Sequence, residues 1–280
     1  MPKKNPTVAV LYDFDKTLSP SNMQEYGFLP AVGMTPQTFW AESERLAQES
    51  QMDRILAYMY LMLQKAEGKT QITRQAFVDK GRTVTLFPGL EDWFDRVNAY
   101  ARQAGVNAEH FIISSGLAEI IQGTPIVRQF KKVFASSFYY DLNGVARWPA
   151  WAVNFTSKTQ FLFRINKGVL DLNRDDELNL YVPEGERPIP FSRMIYIGDG
   201  FSDVPCMKLV KSGGGCSIGV YAGRTKETVV QLVAQNRVDF VARADYSAGK
   251  ELETILFRVL DLVAARYRMD ALVADRETGS

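Results

Sequence analysis

Residues 8–12, Val-Ala-Val-Leu-Tyr, run apolar without alternation. That is the pattern of a strand buried on both faces of a parallel sheet. The run stops at Asp13-Phe14-Asp15-Lys16-Thr17. Over residues 19–85 the apolar spacing becomes helical. Thr35 followed by Pro36 marks a helix start, with the hydroxyl as cap and proline in the first turn. Phe39, Trp40, Leu46 and Ala47 form its apolar stripe. A broader stripe, from Ile55 through Tyr58 and Met59 to Leu63, stops near Gly68, and Thr73 can cap a third helix carrying Ala76 and Phe77.

From Leu86 onward, strand and helix signals alternate. Pro88-Gly89 is a turn, and residues 90–104 suit a helix. Residues 111–113 read as a buried strand ending at Ser114-Ser115-Gly116, and residues 133–135 as another. Residues 194–197 predict a strand ending at Gly198-Asp199-Gly200, and residues 217–221 and 238–241 predict two more. This alternation specifies an α/β fold, a doubly wound parallel sheet with right-handed crossovers. Sites in such sheets lie beyond the carboxyl ends of the strands. Asn143-Gly144 between β-forming runs predicts a hairpin. Tyr139, Tyr140, Trp148 and Trp151 read as packing within it. Residues 171–190, with Asp175-Asp176-Glu177 and several prolines, read as a solvated loop. The expected organisation is a core from residues 1–18 and 86–280, with a helical insert at 19–85.

Composition acts mainly by exclusion. At 46% hydrophobic and 23% charged residues, the chain has the makeup of a folded globular protein. A net charge of +1 gives no electrostatic case for nucleic acid or an anionic membrane, and Lys3-Lys4 reads as a solvated tail. No apolar run is long enough to span a bilayer. The run at 8–12 is too short for a signal-peptide core, so the expected location is cytoplasmic. Cys206 and Cys216 are too few for a disulfide framework or a zinc set and read as thiols in a reducing compartment.

The candidate chemistry lies at the predicted strand ends. Asp13 and Asp15 are close enough to repel, a cost that a metal ion or a cationic side chain relieves. Asp199 and Asp203, in Gly198-Asp199-Gly200-Phe201-Ser202-Asp203, form a second acidic pair. Their spacing puts both on one face if a helix begins there. Ser114 offers a hydroxyl at a third strand end. Lys158 opens a predicted helix over residues 158–166, with Thr156 or Ser157 as its cap. A lysine there opposes the helix dipole unless an anion sits nearby. Taken singly, each has a plain structural explanation: a turn, a helix start, a capping serine, a solvated lysine. His110, the single histidine, reads as a surface or satisfied structural residue.

Taken together, these four motifs resemble those of haloacid dehalogenase-superfamily phosphatases, in the right order, across about residues 7–20 and 86–250. The resemblance implies a Rossmannoid core with residues 19–85 as an all-helical C1-type cap, as in phosphoserine phosphatases. It implies hydrolysis of a small phosphorylated metabolite through an aspartyl phosphate. Asp13 would be the nucleophile and Asp15 the general acid and then base. Ser114 and Lys158 would hold the phosphoryl oxygens. Mg2+ would be held by Asp13, the Asp15 carbonyl and Asp199, with Asp203 a water-mediated ligand or anchor. Thr17, Ser115, Gly116 and Glu25 are the expected substrate contacts. Asn22 could also touch the leaving group, and Arg45 and Arg54 are further cap candidates. Phosphonate cleavage and phosphoryl transfer are the alternative chemistries. Dehalogenation is disfavoured because Asp15 is present, and a non-catalytic relative because no motif residue is missing.

Overall fold

The computed structural model describes residues 5–223 and 226–277. Its sheet has seven strands: β1 (Thr7–Tyr12), β2 (Asn107–Leu117), β3 (Lys132–Tyr140), β4 (Ala146–Trp151), β5 (Met194–Gly198), β6 (Cys216–Tyr221) and β7 (Phe240–Arg243). The order across the sheet is β4-β3-β2-β1-β5-β6-β7, and every pairing is parallel except the β3–β4 hairpin. From the central β1 the chain first builds outward through β2 and β3, then returns to build the other side from β5. The crevice beyond the end of β1 is therefore the topological switch point, where α/β sheets bind ligands.

The unbroken apolar run of β1 follows from burial on both faces. Val8, Val10 and Tyr12 enter one core and Ala9 and Leu11 the other, all fully buried. The first core is closed by α5 (Leu90–Ala104) and α11 (Glu251–Glu277), through Trp93, Val97, Leu256 and Leu260. The second is closed by α7 (Lys158–Lys167) and α9 (Val204–Ser212), through Phe161, Ile165 and Met207. The remaining core-side helices are α6 (Ala118–Gln122), α8 (Asp175–Asn179) and α10 (Lys226–Ala234). Cys206 and Cys216 are buried free thiols. Among the described residues no helix is long and apolar enough to cross a membrane.

Between β1 and α5 come four helices: α1 (Gln24–Val32), α2 (Pro36–Glu49), α3 (Arg54–Ala66) and α4 (Arg74–Gly81). Thr35 and Thr73 cap α2 and α4, accepting from the amides of Thr38 and Ala76 at 3.2 and 3.1 Å. Asp53 caps α3. The insert is anchored to the core through α4 and α6. A Cβ added to Gly81 would collide with the Ile120 carbonyl, and one added to Gly123 with the Val78 carbonyl. Only glycine at both positions lets the backbones approach this closely.

Several local expectations need correction. Helix α1 was not foreseen, because Pro30 lies inside it and its buried Phe28, Leu29 and Val32 give little amphipathic signal. Residues 171–190 hold the short α8, tied down by an ion pair between Asp175 and the buried Arg164. Strand β7 begins at Phe240, with the buried Val238 just before it. Ser157 precedes α7 but makes no side-chain cap; Asn154 Oδ1 accepts the Ser157 amide instead. Helix α9 starts only at Val204, so Asp199 and Asp203 lie in the preceding turn. The hairpin turn falls at Asn143-Gly144, with Asp141 Oδ1 accepting the amides of Asn143 and Val145. Tyr139 and Trp148 pair across it but stay exposed, while Trp151 packs toward Phe161. His110 is a buried residue of β2, bonded to Tyr12 Oη and Asn98 Oδ1 at 3.1 Å each, which is the satisfied role and not a surface one.

Candidate active site

At the end of β1 the backbone stays in the sheet for one more residue: the Asp13 amide donates to the Ile197 carbonyl of β5 at 2.9 Å. This fixes the Asp13 carboxylate beside that strand. The turn then tightens through Lys16, which adopts a left-handed φ of +60°. It returns so that Asp15 Oδ1 accepts the Met23 amide at 2.8 Å. Asp15 is thereby held at the foot of the helical insert.

Strand β2 delivers Ser114, fully buried, with Gly116 donating its amide to the Ser114 hydroxyl at 3.0 Å. The β2–β3 pairing shifts register between Ser114 and Leu117, which turns the backbone toward the crevice. Gly116 leaves room there for neighbouring side chains: a Cβ would lie 2.7 Å from Met23 Sδ and 3.1 Å from Asp15 Oδ2, so Met23 would have to move. At the end of β5, Gly198 makes room for Asp203 in the same way, since a Cβ would come within 2.5 Å of Asp203 Oδ2.

Lys158, 1% exposed, reaches in from the first turn of α7. Its Nζ lies 3.0 Å from Asp13 Oδ1 and 2.7 Å from Asp203 Oδ1. Tyr196 Oη donates to the same Asp203 oxygen at 2.8 Å. Asp13, Asp15, Asp199 and Lys158 bound a cavity of about 570 Å³, roofed by Asn22, Gln24, Trp40, Arg54 and Tyr58 of the insert.

The electrostatics follow from crowding charge into a dry crevice. Burial, then the Asp203 charge, pushes the Asp13 carboxyl up to about 6 despite Lys158. Burial, then Asp203 and Asp13, pushes Asp199 up to about 8. Burial and the Asp13 charge hold Asp15 well above the carboxylate range, against the Met23 amide. For Lys158, burial opposes the charge, but the Asp13 and Asp203 carboxylates outweigh it and raise its pKa.

Asp13, Asp199 and Asp203 present carboxylate oxygens within 4.8 Å of one another. Asp203 Oδ2 is buried and has no hydrogen-bond donor. Clustered hard oxygens, acids held partly protonated for want of charge, and a buried acceptor without a donor are what a divalent cation relieves. The donor set suits Mg2+.

The residues expected at the site fall into two groups. Asp13, Asp15, Ser114, Ser115, Gly116, Lys158 and Asp199 all line the cavity, and Asp203 stands directly behind Lys158. Thr17 and Glu25 do not line it. The Thr17 hydroxyl is buried without a partner. Glu25 Oε1 instead accepts from Asn22 Nδ2 at 2.5 Å and Trp40 Nε1 at 2.8 Å. Arg45 pairs with Glu49 on the outer surface, whereas Arg54 reaches the cavity. Sequence reasoning missed Tyr196, Tyr58 and Gln24. Tyr196 sits in a uniformly apolar run, and the other two meet the core only through tertiary contacts, such as Tyr58 Oη donating to the Ser115 carbonyl at 2.7 Å.

The sequence profile of the haloacid dehalogenase-like hydrolases matches residues 10–208, and the chain belongs to that family. It is 28% identical to an uncharacterized protein of Borreliella burgdorferi, over 90% of this chain and 96% of that one. Among solved structures, a HAD family hydrolase from Salmonella enterica serovar Typhi superposes with a TM-score of 0.56 at 18% identity, covering 91% of this chain and 72% of that one. A substrate-bound phosphoserine phosphatase gives 0.56 at 14% identity, covering 91% and 98%. A phosphoserine phosphatase holding a phospho-aspartyl intermediate analogue gives 0.55 at 13%, covering 90% and 98%. At these identities the superpositions speak for the fold: a doubly wound core carrying a helical insert.

Proposed function

We propose that this protein is a cytoplasmic, Mg2+-dependent phosphatase that hydrolyses a small phosphomonoester through an aspartyl phosphate on Asp13. One observation carries the reading: Asp13, Asp199 and Asp203 cluster at the strand ends, the buried Lys158 bridges Asp13 and Asp203, and Asp13, Asp199 and Lys158 line a cavity. Residues 1–18 and 86–280 form the catalytic core, and residues 19–85 form the cap over it. Asp13, the Asp15 carbonyl and Asp199 would hold Mg2+, whose charge offsets the repulsion between nucleophile and phosphate.

In the first step an Asp13 oxygen bonds to phosphorus while the bond to the alcohol oxygen breaks. Asp15, held protonated by burial, gives its proton to that leaving oxygen. In the second step water attacks the same phosphorus, Asp15 takes its proton, and inorganic phosphate leaves with Asp13 restored. Lys158 and the Ser114 hydroxyl stabilise the equatorial oxygens. Asp203 and Tyr196 orient Lys158. The test is phosphate release from p-nitrophenyl phosphate with Mg2+, combined with peptide mapping of a beryllofluoride- or phosphate-trapped adduct. No release, or an adduct on a residue other than Asp13, defeats the reading.

A further inference from the structure

A second cavity, of about 560 Å³, opens at the amino ends of the strands, where the segment before β5 meets the middle of α11. It lies far from the catalytic residues. Arg193 stands immediately before β5 and donates Nη1 to the carbonyl of Thr7, the first residue of β1, at 3.1 Å. The length of β1, about 20 Å of strand, separates that point from Asp13. Three arginines line the cavity: Arg187, Arg193 and Arg266. Each is anchored by main-chain carbonyls. Arg193 Nη2 donates to Pro188 at 3.1 Å, Arg187 Nε to Val182 at 3.1 Å, and Arg266 Nη1 to Gly214 at 2.8 Å. Among the described residues none of the three forms an ion pair with a carboxylate. Glu184 and Asp270 also line the cavity, but both are exposed and neither pairs with these arginines. Arg193 is half-buried, and burial holds its pKa below the ordinary arginine value. A guanidinium drawn partly out of water without a counter-charge is costly, and a bound anion would offset that cost.

From this we infer that the cavity between Arg187, Arg193 and Arg266 is a second ligand site, distinct from the active site, for a small organic di- or triphosphate. The inference does not rest on the phosphatase reading, because no catalytic residue takes part. Each guanidinium keeps donors beyond those given to carbonyls, in the planar fork that meets phosphoryl oxygens bidentately. Three unpaired cations exceed the charge of one phosphate group and match that of two or three joined together. The cavity has the size of a small-molecule site and is larger than an inorganic diphosphate fills. Tyr267, Pro190 and Val263 give it an apolar wall for an organic body. The carboxylates of Glu184 and Asp270 only accept, so they suit hydroxyl or amine groups on that body and leave the phosphates to the arginines.

Calorimetric titration of the full-length chain with ADP, pyrophosphate and inorganic phosphate tests this. Without added Mg2+ the crowded carboxylates of the active site repel phosphate, so the second site is read by itself. Pyrophosphate should bind at least about tenfold more tightly than inorganic phosphate, and ADP more tightly than pyrophosphate. Arg266→Gln and Arg187→Gln should each weaken ADP at least about tenfold, with thermal melts to show that the fold is kept. If Arg187→Gln does not fold, Arg266→Gln decides. Arg45→Gln removes the same charge from the outer surface of the insert. In about 0.1 M salt, where distant charges are screened, it should leave the ADP affinity within about twofold. No binding of ADP or pyrophosphate, or an unchanged affinity in folded Arg266→Gln, overturns the site. An equal loss in Arg45→Gln reduces the effect to net charge and overturns it too. Inorganic phosphate as tight as pyrophosphate, or ADP no tighter than pyrophosphate, overturns the organic diphosphate as its ligand.

Discussion

The Lys158 ammonium lies 3.0 Å from Asp13 Oδ1, and both side chains are almost wholly excluded from solvent. An ion pair this dry is costly to assemble, and it endures because Asp203 adds a second carboxylate on the other side of the same ammonium. Asp13→Asn should therefore keep its fold, since Lys158 retains Asp203. Turnover should fall roughly a thousandfold or more, because no other group can accept the phosphoryl. Phosphate release and a thermal melt on the same preparation decide it, and wild-type-like turnover would remove Asp13 from its proposed role.

Asp203→Asn should behave differently. It leaves Lys158 with one carboxylate and takes a charged acceptor from Tyr196 Oη, which donates to Asp203 at 2.8 Å. Removing one partner from a buried charged network typically costs about 3–5 kcal/mol. The expected result is a lower melting temperature together with lower kcat; a purely kinetic defect would contradict an anchoring role.

Without metal, stability should fall as pH rises. Asp13 and Asp199 are raised to about 6 and about 8, against an unfolded value near 4 for aspartate. The folded state thus binds more protons than the unfolded one. Its advantage from these groups is full below about pH 4 and is lost as pH climbs through 6 and 8. Asp15 acts in the same direction. Melting temperatures in chelator should decline from pH 5 to 9, and Mg2+ should flatten that decline by taking over the charge balance. A profile in chelator that rises over this range would refute the assignment of raised acids.

Asp15→Asn should be most damaging for alkyl phosphates and least for p-nitrophenyl phosphate, whose leaving oxygen needs little protonation. Equal losses on both esters would argue against proton donation from Asp15.

Gly116→Ala should lower both stability and activity. The new methyl would press on Met23 and Asp15 Oδ2, at an overpacking cost of about 1–3 kcal/mol. Met23→Ala added to it should restore much of the stability by vacating that space. If the double variant is less stable than the single one, Met23 is not the obstacle.

How much of this was legible in the sequence depended on how local the cause was. Thr35 and Thr73 act within their own first turns, so their helices could be read from a few residues. The carboxylates, Ser114 and Lys158 sit at strand or helix ends, where an apolar run stops on a polar group. Glu25 could not be resolved that way. Whether its carboxylate meets substrate or Trp40 Nε1 depends on how α1 packs against α2, which no short-range pattern encodes. Helix α1 was hidden for a related reason: Phe28 is buried against Phe39 and Phe77 of other helices, and not along a stripe of its own. Tyr196 shows the converse case, a polar group concealed in an apolar strand because its partner Asp203 satisfies it.

The reciprocal glycines of α4 and α6 also constrain how this protein can be recombined with its relatives. Gly81 and Gly123 each occupy the space a side chain on the other helix would need, with backbone carbonyls as the opposing surface. A chimera that exchanged residues 19–85 alone would set a foreign α4 against this α6 and meet backbone on backbone. A workable graft carries residues 118–123 along with the insert, so the exchangeable unit is discontinuous in sequence, and drift at either glycine is held in check by the other.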